Sequence, residues 1–494
     1  MGRDGFDVVV VGGGAAGCVV AARLSDTASR SVLLVEAGPD LRANLPEGFS
    51  DGWRLPQGFD WGYESEPGEQ ASVQALRRGK LIGGTSWLTR FAVRGAPADY
   101  DEWAAIGNPG WAFDDVLPYF RRLETDIDFG DREWHGDRGP LPITRYQDFE
   151  LTEVGAAGLE ALEATGFAIV DDHNQPGALG AGRMPMSSRA GVRVTTADAY
   201  LPVASTPQNL TIRSESSVAE VAFDGTRARG VRLHDGEVIQ AGWVVLSAGT
   251  YGSPPILMRS GVGPAEHLRS FGIPVRLDLP GVGANLADHA GVDIDCGYRG
   301  GARAAPVLHF IATFRSSLAS CDEAPDLMFW LSDPRGDQPI FEIDVVLLRP
   351  RSRGSVRLRS PNPADPPLIE LPGLRDPSDI DRLAEAYIRG LEIARRPELR
   401  RLCTDPPSPG VDEGHNVRDL IRADGYSIPH VVGTCSMGSR PEDGAVVDVS
   451  GRVYGAERLS VIDASIIPHG PAAFTHIPTI MLAERISEQI AALL

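Results

Sequence analysis

Residues 7–38, DVVVVGGGAAGCVVAARLSDTASRSVLLVEAG, decide the fold. DVVVV at 7–11 is an apolar run of β-branched residues, which predicts a buried strand. GGGAAG at 12–17 follows as a glycine turn, and Cys18 to Leu24 supplies a small-residue helix face. A second apolar run, Ser31 to Val35, ends in Glu36-Ala37-Gly38. Together these segments predict a βαβ unit. Gly12 permits the tight turn, Gly14 lets backbone approach a pyrophosphate, and Gly17 lets helix and strand pack closely. The helix N-terminus offers amide hydrogens to an anion. Glu36, at the end of the second strand, is placed to accept hydrogen bonds from a ribose diol, and the acid disfavours a cofactor bearing a 2′-phosphate. The motif leaves FAD and NAD open.

Outward from this unit, 494 residues at 42% apolar and 23% charged describe a globular chain large enough for two or three domains. A formal charge of -20 disfavours nucleic acid, whose backbone a binder must neutralise with basic residues. Among the 47 bases Lys80 is the single lysine. Five cysteines without a C-x-x-C pair indicate neither a disulfide framework nor a zinc cluster. No metal-ligand spacing such as H-E-x-x-H occurs, and no metal is expected. The start of the sequence has no signal-peptide pattern and no run reaches the length of a membrane span, so a cytoplasmic protein is expected.

Further along, Ser217 to Phe223, Gly230 to Leu233 and Trp243 to Ser247 read as short strands that feed back to the cofactor unit. Residues 341–358 read as two strands joined by a polar Arg/Ser/Gly turn, and Ile380 to Arg396 as a helix, the core of a second domain. Leu459 to Ile462 predicts a strand, and Pro478 to Leu493 an amphipathic helix with proline in its first turn.

Two more segments carry a family resemblance. Arg78-Gly-Lys-Leu-Ile-Gly-Gly-Thr-Ser-Trp-Leu-Thr89 and Gly249-Thr-Tyr-Gly-Ser-Pro-Pro-Ile-Leu-Met-Arg-Ser-Gly-Val-Gly263 resemble the two signatures of the glucose-methanol-choline (GMC) oxidoreductases. The likeness extends to His135-Gly136, to Leu279-Pro-Gly-Val-Gly-Ala-Asn-Leu-Ala-Asp-His289, to His430 through Gly438 and to Asp463-Ala464. It implies an α/β protein: a Rossmann-like FAD-binding domain (1–145, 192–290 and 445–494) with an inserted, discontinuous substrate domain (146–191 and 291–444) built on an antiparallel sheet.

The resemblance also implies FAD as cofactor. The positions that match are Gly12, Gly14, Ala15, Gly17, Glu36, Ala37, Arg78, Gly84, Thr85, Thr89, Val218, Asp463, Ala464 and Thr479. Members that attach FAD covalently often carry histidine where this chain has Leu88, so non-covalent FAD is expected. Thr89 stands where the family often has asparagine.

Oxidising an alcohol needs removal of the hydroxyl proton as hydride leaves the carbinol carbon for flavin N5. Histidine suits that task. Of the ten histidines, His135, His173, His234, His267, His289, His309, His415, His430, His469 and His476, two match family positions. His430 matches the base, and His476 the histidine-or-asparagine slot that hydrogen-bonds the alcohol oxygen. His469 reads as a turn residue and Cys435 as a small buried residue. The implied activity is FAD-dependent oxidation of a small-molecule CH–OH group, with oxygen or a redox carrier as electron acceptor. Compact bacterial relatives of this kind include choline-dehydrogenase-like and mycofactocin-associated dehydrogenases. The alternative is the non-oxidative chemistry that the fold also hosts, that of a lyase or a photodecarboxylase. Phe310, Phe314, Phe329, Trp330 and Phe341 read as core, with a wall of the pocket as their other use.

Overall fold

In the computed structural model, residues 5–46, 49, 57–67, 73–301, 308–334, 339–408 and 416–494 are described. The first strand, Phe6–Val11, lies in the middle of a parallel sheet. Its neighbours are Val32–Val35 on one side and Val238–Leu246 on the other. Leu210–Arg213 extends the sheet beyond Val32–Val35, and Leu459–Val461 pairs parallel with the end of Val238–Leu246. The middle strands are near-continuous valine and leucine because layers cover both faces. The other half of Val238–Leu246 carries an antiparallel meander of Val218–Asp224 and Arg227–Leu233, the small sheet that the sequence predicts.

Helix Ala15–Ser25 leaves the glycine turn and packs beside the terminal helix His476–Ala491. That helix begins two residues before Pro478, which sets His476 at its first position. Gly12 has φ +96°, a conformation glycine adopts without strain. At Gly17 a Cβ atom would lie 1.8 Å from the Gly12 carbonyl oxygen, so the helix can approach the turn only without a side chain there.

A second sheet stands across from the first. Its strands run in the order Tyr426–Val432, Ala287–Gly297, Ile340–Leu347, Leu327–Ser332, Leu308–Phe314, Gly180–Arg183 and Ile169–Val170. All pairings but the last are antiparallel. One face, with Ile294, Phe329 and Val345, packs on helix Pro377–Ala394. Phe310, Phe314, Phe329 and Phe341 lie in this core. At Gly390 a Cβ would meet Ile294 at 2.7 Å, so the helix seats closely on the sheet.

The two strands read over 341–358 both form, but they do not pair with each other. Ile340–Leu347 is central in the second sheet, while Ser355–Arg357 pairs with Leu368–Glu370. The connection is pulled aside by the Asp379 carboxylate, which accepts from the amides of Arg351 and Ser352 and from the Ser352 hydroxyl. Leu286 and Gly354 then exchange two backbone hydrogen bonds.

Candidate active site

A cavity of about 1050 Å³ opens between the glycine turn and the second sheet. From the βαβ unit its walls take Gly12, Gly14, Ala15, Glu36 and Ala37. Arg78, Thr85, Leu88 and Thr89 follow from the next segment, then Val218, Asp463, Ala464 and Thr479. His430 and His476 line the same cavity. Gly17 and Gly84 are not in the wall and shape it from behind. A Cβ on Gly84 would lie 2.7 Å from the Gly14 Cα.

The turn is built for a ligand to approach backbone. A Cβ added at Gly14 would meet no protein atom within 4 Å, and Gly249, at φ +82°, faces the same open space. Glu36 is buried, and burial pushes its carboxyl up to about 6. Its Oε2 accepts from the Gly13 amide at 2.7 Å and its Oε1 from the Gly38 amide at 2.8 Å. Each oxygen keeps a second lone pair for a hydroxyl. Asp463 accepts from the Gly249 amide at 2.8 Å, from the Ser253 hydroxyl at 2.6 Å and from the Ser465 amide at 2.8 Å, so it braces both ends of this wall. A long cavity with glycine-floored backbone and an acid at the second strand end fits FAD.

His430 sits on strand Tyr426–Val432, whose position is held by its own amide donating to Asp288 Oδ1 at 2.8 Å. Burial, His289 and Arg78 together hold the His430 imidazole well below the usual histidine range. Arg78 donates to the Pro429 carbonyl at 3.2 Å and lies 4.9 Å from the Tyr251 ring. The His430 ring meets Phe474 edge to face at 4.9 Å, and Phe474 stacks on Trp330 at 5.4 Å. Trp330 is therefore both core and pocket wall. His476 is buried at the start of the terminal helix, and burial with the charge of Arg193 lowers it to about 4. Its Nε2 has no hydrogen-bond partner among the described residues. Thr479, one turn on, donates its hydroxyl to the Thr475 carbonyl at 2.7 Å.

Several wall residues escape the sequence reading. Asp293 and Asp344 face each other across neighbouring strands on the inner face of the second sheet, and both line the cavity. Burial raises both carboxyls; the Tyr426 hydroxyl donates to Asp293 at 2.6 Å and Ser332 to Asp344 at 3.0 Å. The signal was an acid at alternate positions of otherwise apolar strands, Val292-Asp293-Ile294 and Ile343-Asp344-Val345. His289, against His430, ends the Gly-Val-Gly-Ala-Asn-Leu-Ala-Asp-His segment that carries the resemblance, yet its role there was not read.

Of the other described histidines, His234 lines the same cavity and is likewise lowered by burial, and those besides His289 take part elsewhere. His135 is buried among Glu124, Asp126, Asp172, Arg94 and Arg145, where the two guanidiniums already face the carboxylates. His173 hydrogen-bonds the Ile311 carbonyl, His267 accepts from the Leu358 amide, and His469 is partly exposed beside Glu102. Cys435 is buried. His415 lies outside the described residues. No described helix is long and apolar enough to cross a membrane.

Comparison with known proteins then decides the family. Two models described as GMC oxidoreductase match residues 6–291 and 350–483. The chain is a GMC oxidoreductase. The GMC family binds FAD, and this GMC chain is an enzyme, an FAD-dependent alcohol oxidoreductase. It is 34% identical to the 5-(hydroxymethyl)furfural oxidase of Methylovorus sp. (strain MP688), over 98% of each chain. It is 32% identical to an oxygen-dependent choline dehydrogenase of Rhizobium etli, over 98% of this chain and 95% of the relative. Among solved structures it is similar to pyridoxine 4-oxidase from Mesorbium loti, at 30% identity and TM-score 0.91, covering 98% of this chain and 99% of that one. The GMC models leave residues 292–349 between them, the stretch that supplies most of the second sheet's inner face.

Proposed function

We propose that the enzyme oxidises the CH–OH group of a small alcohol, with His430 as the base that takes the hydroxyl proton and His476 as the partner that hydrogen-bonds the same oxygen. One observation carries this reading: two imidazoles from separate elements, both lowered by burial, line one cavity that runs on to the glycine turn. A neutral imidazole has a lone pair with which to take a proton, and the buried His476 Nε2, without a hydrogen-bond partner among the described residues, would gain one by bonding an alcohol oxygen. When bound, FAD supplies the acceptor for the hydride that leaves the carbinol carbon. Gly12, Gly14, Ala15, Glu36, Ala37, Arg78, Gly84, Thr85, Thr89, Val218, Asp463, Ala464 and Thr479 would hold it without a covalent bond, since Leu88 at the wall offers no nucleophile, and Gly17 would keep the turn close. The division proposed is an FAD-binding domain (1–145, 192–290, 445–494) and a substrate domain (146–191, 291–444); two apolar cores follow it in the main, with Leu358, Val432, Cys435 and Met437 packing in the first core and Ala290 in the second. Oxygen or a redox carrier would take the electrons onward. Five free cysteines, four of them buried, suit the reducing cytoplasm.

The three relatives named above are, by name, enzymes of 5-(hydroxymethyl)furfural, choline and pyridoxine, each a small molecule with a hydroxyl group, which supports a small alcohol as the substrate class. The test is anaerobic titration of purified yellow enzyme with a panel of small alcohols: one of them should bleach the flavin. Loss of a general base costs about 10²- to 10⁴-fold in rate, so His430→Ala should keep its colour and lose that much turnover. A panel that leaves the enzyme yellow, or a His430→Ala variant with full turnover, would sink the reading.

A further inference from the structure

We infer that His289 is a positioning residue for the reaction: it fixes the tautomer of His430 so that the nitrogen facing the cavity carries no proton. This rests on the reading of His430 as the base. His289 Nε2 lies 3.2 Å from the Pro471 carbonyl oxygen, and His289 Nδ1 lies 3.0 Å from His430 Nδ1. The rings meet nearly at right angles, 84°, with centroids 5.1 Å apart. Burial lowers His289 to about 4 and holds His430 low, so both rings are neutral and each carries one proton.

The carbonyl can only accept, so the proton of His289 is on Nε2 and is donated to Pro471. Its Nδ1 is then a bare acceptor. The contact between the two Nδ1 atoms is a hydrogen bond only if His430 carries its proton there. His430 Nε2 is left with its lone pair, on a ring that lines the substrate cavity. When the substrate O–H bond breaks, the new N–H bond forms at that Nε2. The positive charge on His430 then strengthens the bond from its Nδ1 to His289, since a charged donor makes the stronger hydrogen bond. No proton leaves the pair in this step.

Leu348 brings a second backbone carbonyl to the His289 ring, where it too can only accept, and the remaining groups that face the pair are compatible with the assignment. Asp288 is occupied by the His430 amide and the Ser427 hydroxyl, Arg78 is a donor only, and Phe474 covers the His430 ring edge to face. Gly470, whose Cβ would stand 3.6 Å from His289 Nε2, leaves room for the ring against the Pro471 carbonyl.

The experiment compares wild-type holoenzyme with His289→Leu, which removes the acceptor, and His289→Asn, which keeps an oxygen near the place of Nδ1. Expected in His289→Leu is a kcat lowered about 10²-fold, the low end of what a general base contributes, with KM and flavin per chain close to wild type. His289→Asn should recover at least 10-fold of that loss. The tautomers are read independently of turnover by ¹⁵N NMR of histidine-labelled wild-type protein, with the two variants and His430→Asn to assign signals. His289 should be protonated at Nε2 and His430 at Nδ1. The opposite tautomers, a His289→Leu kcat within threefold of wild type, or a His289→Asn no better than His289→Leu would each overturn the inference. If no alcohol reduces the wild-type flavin, the base reading fails while the tautomers still report on the positioning.

Discussion

His476 joins sequence, packing and chemistry in one side chain. Proline at 478 marks the first turn of a helix, that helix packs beside Ala15–Ser25 and Phe113–Leu123, and burial holds the ring neutral, its Nε2 without a hydrogen-bond partner among the described residues. The sign of the pH effect follows. A histidine in the unfolded chain titrates near 6.5, whereas this one titrates at about 4. Between those values the unfolded chain binds a proton that the folded chain refuses, so stability present above pH 6.5 is lost as pH falls towards 4. The urea midpoint of wild type should therefore fall more steeply over that window than that of His476→Asn, by up to about 3 kcal/mol of stability. A difference between the two proteins that does not vary with pH would show that the ring is not held neutral. The identity of His476 was legible as a family position. Its missing partner was not, because that depends on which side chains other elements bring up.

At the scale of an element, the turn between the first strand and first helix separates two uses of glycine that look alike in the sequence. At Gly17 the obstacle to a side chain is protein, the Gly12 carbonyl oxygen at 1.8 Å. At Gly14, with φ -78° and no protein atom near its Cβ position, the only thing a methyl group could obstruct is a ligand. Gly14→Ala should fold with a thermal midpoint close to wild type and bind flavin at least 10-fold more weakly. Gly17→Ala should lose several kcal/mol of stability, since the overlap can be relieved only by moving helix from strand. Equal flavin affinity in Gly14→Ala and wild type would remove the turn from the cofactor site. The βαβ unit and the helix at 377–394 could be read in advance because their periodicity is local. The pairing of the strand at 355–357 could not, because Asp379 draws the chain away from the second sheet and the strand meets Leu368–Glu370 instead.

Across the whole molecule, one cavity draws its wall from both large sheets, with Glu36 from the end of a strand of the first and Trp330 from the second. A ligand that binds this cavity only in the folded chain stabilises the folded chain, by about 2.7 kcal/mol at a hundredfold excess over Kd. The melting temperature of flavin-depleted protein should thus climb as FAD is added. Acid precipitation of the holoenzyme should leave its yellow colour in the supernatant; colour retained in the pellet would mean a covalent flavin. The sequence by itself determined the nucleotide-binding unit, the family and the two histidines proposed to act on the substrate, since each is written in short-range spacing or in a motif. Only the tertiary structure decided that His289 abuts His430, that Asp293 and Asp344 face the cavity, and that Trp330 is part of its wall. Those contacts join strands far apart in the chain, and which strands lie side by side is settled by the packing of two sheets and not by any local run of residues.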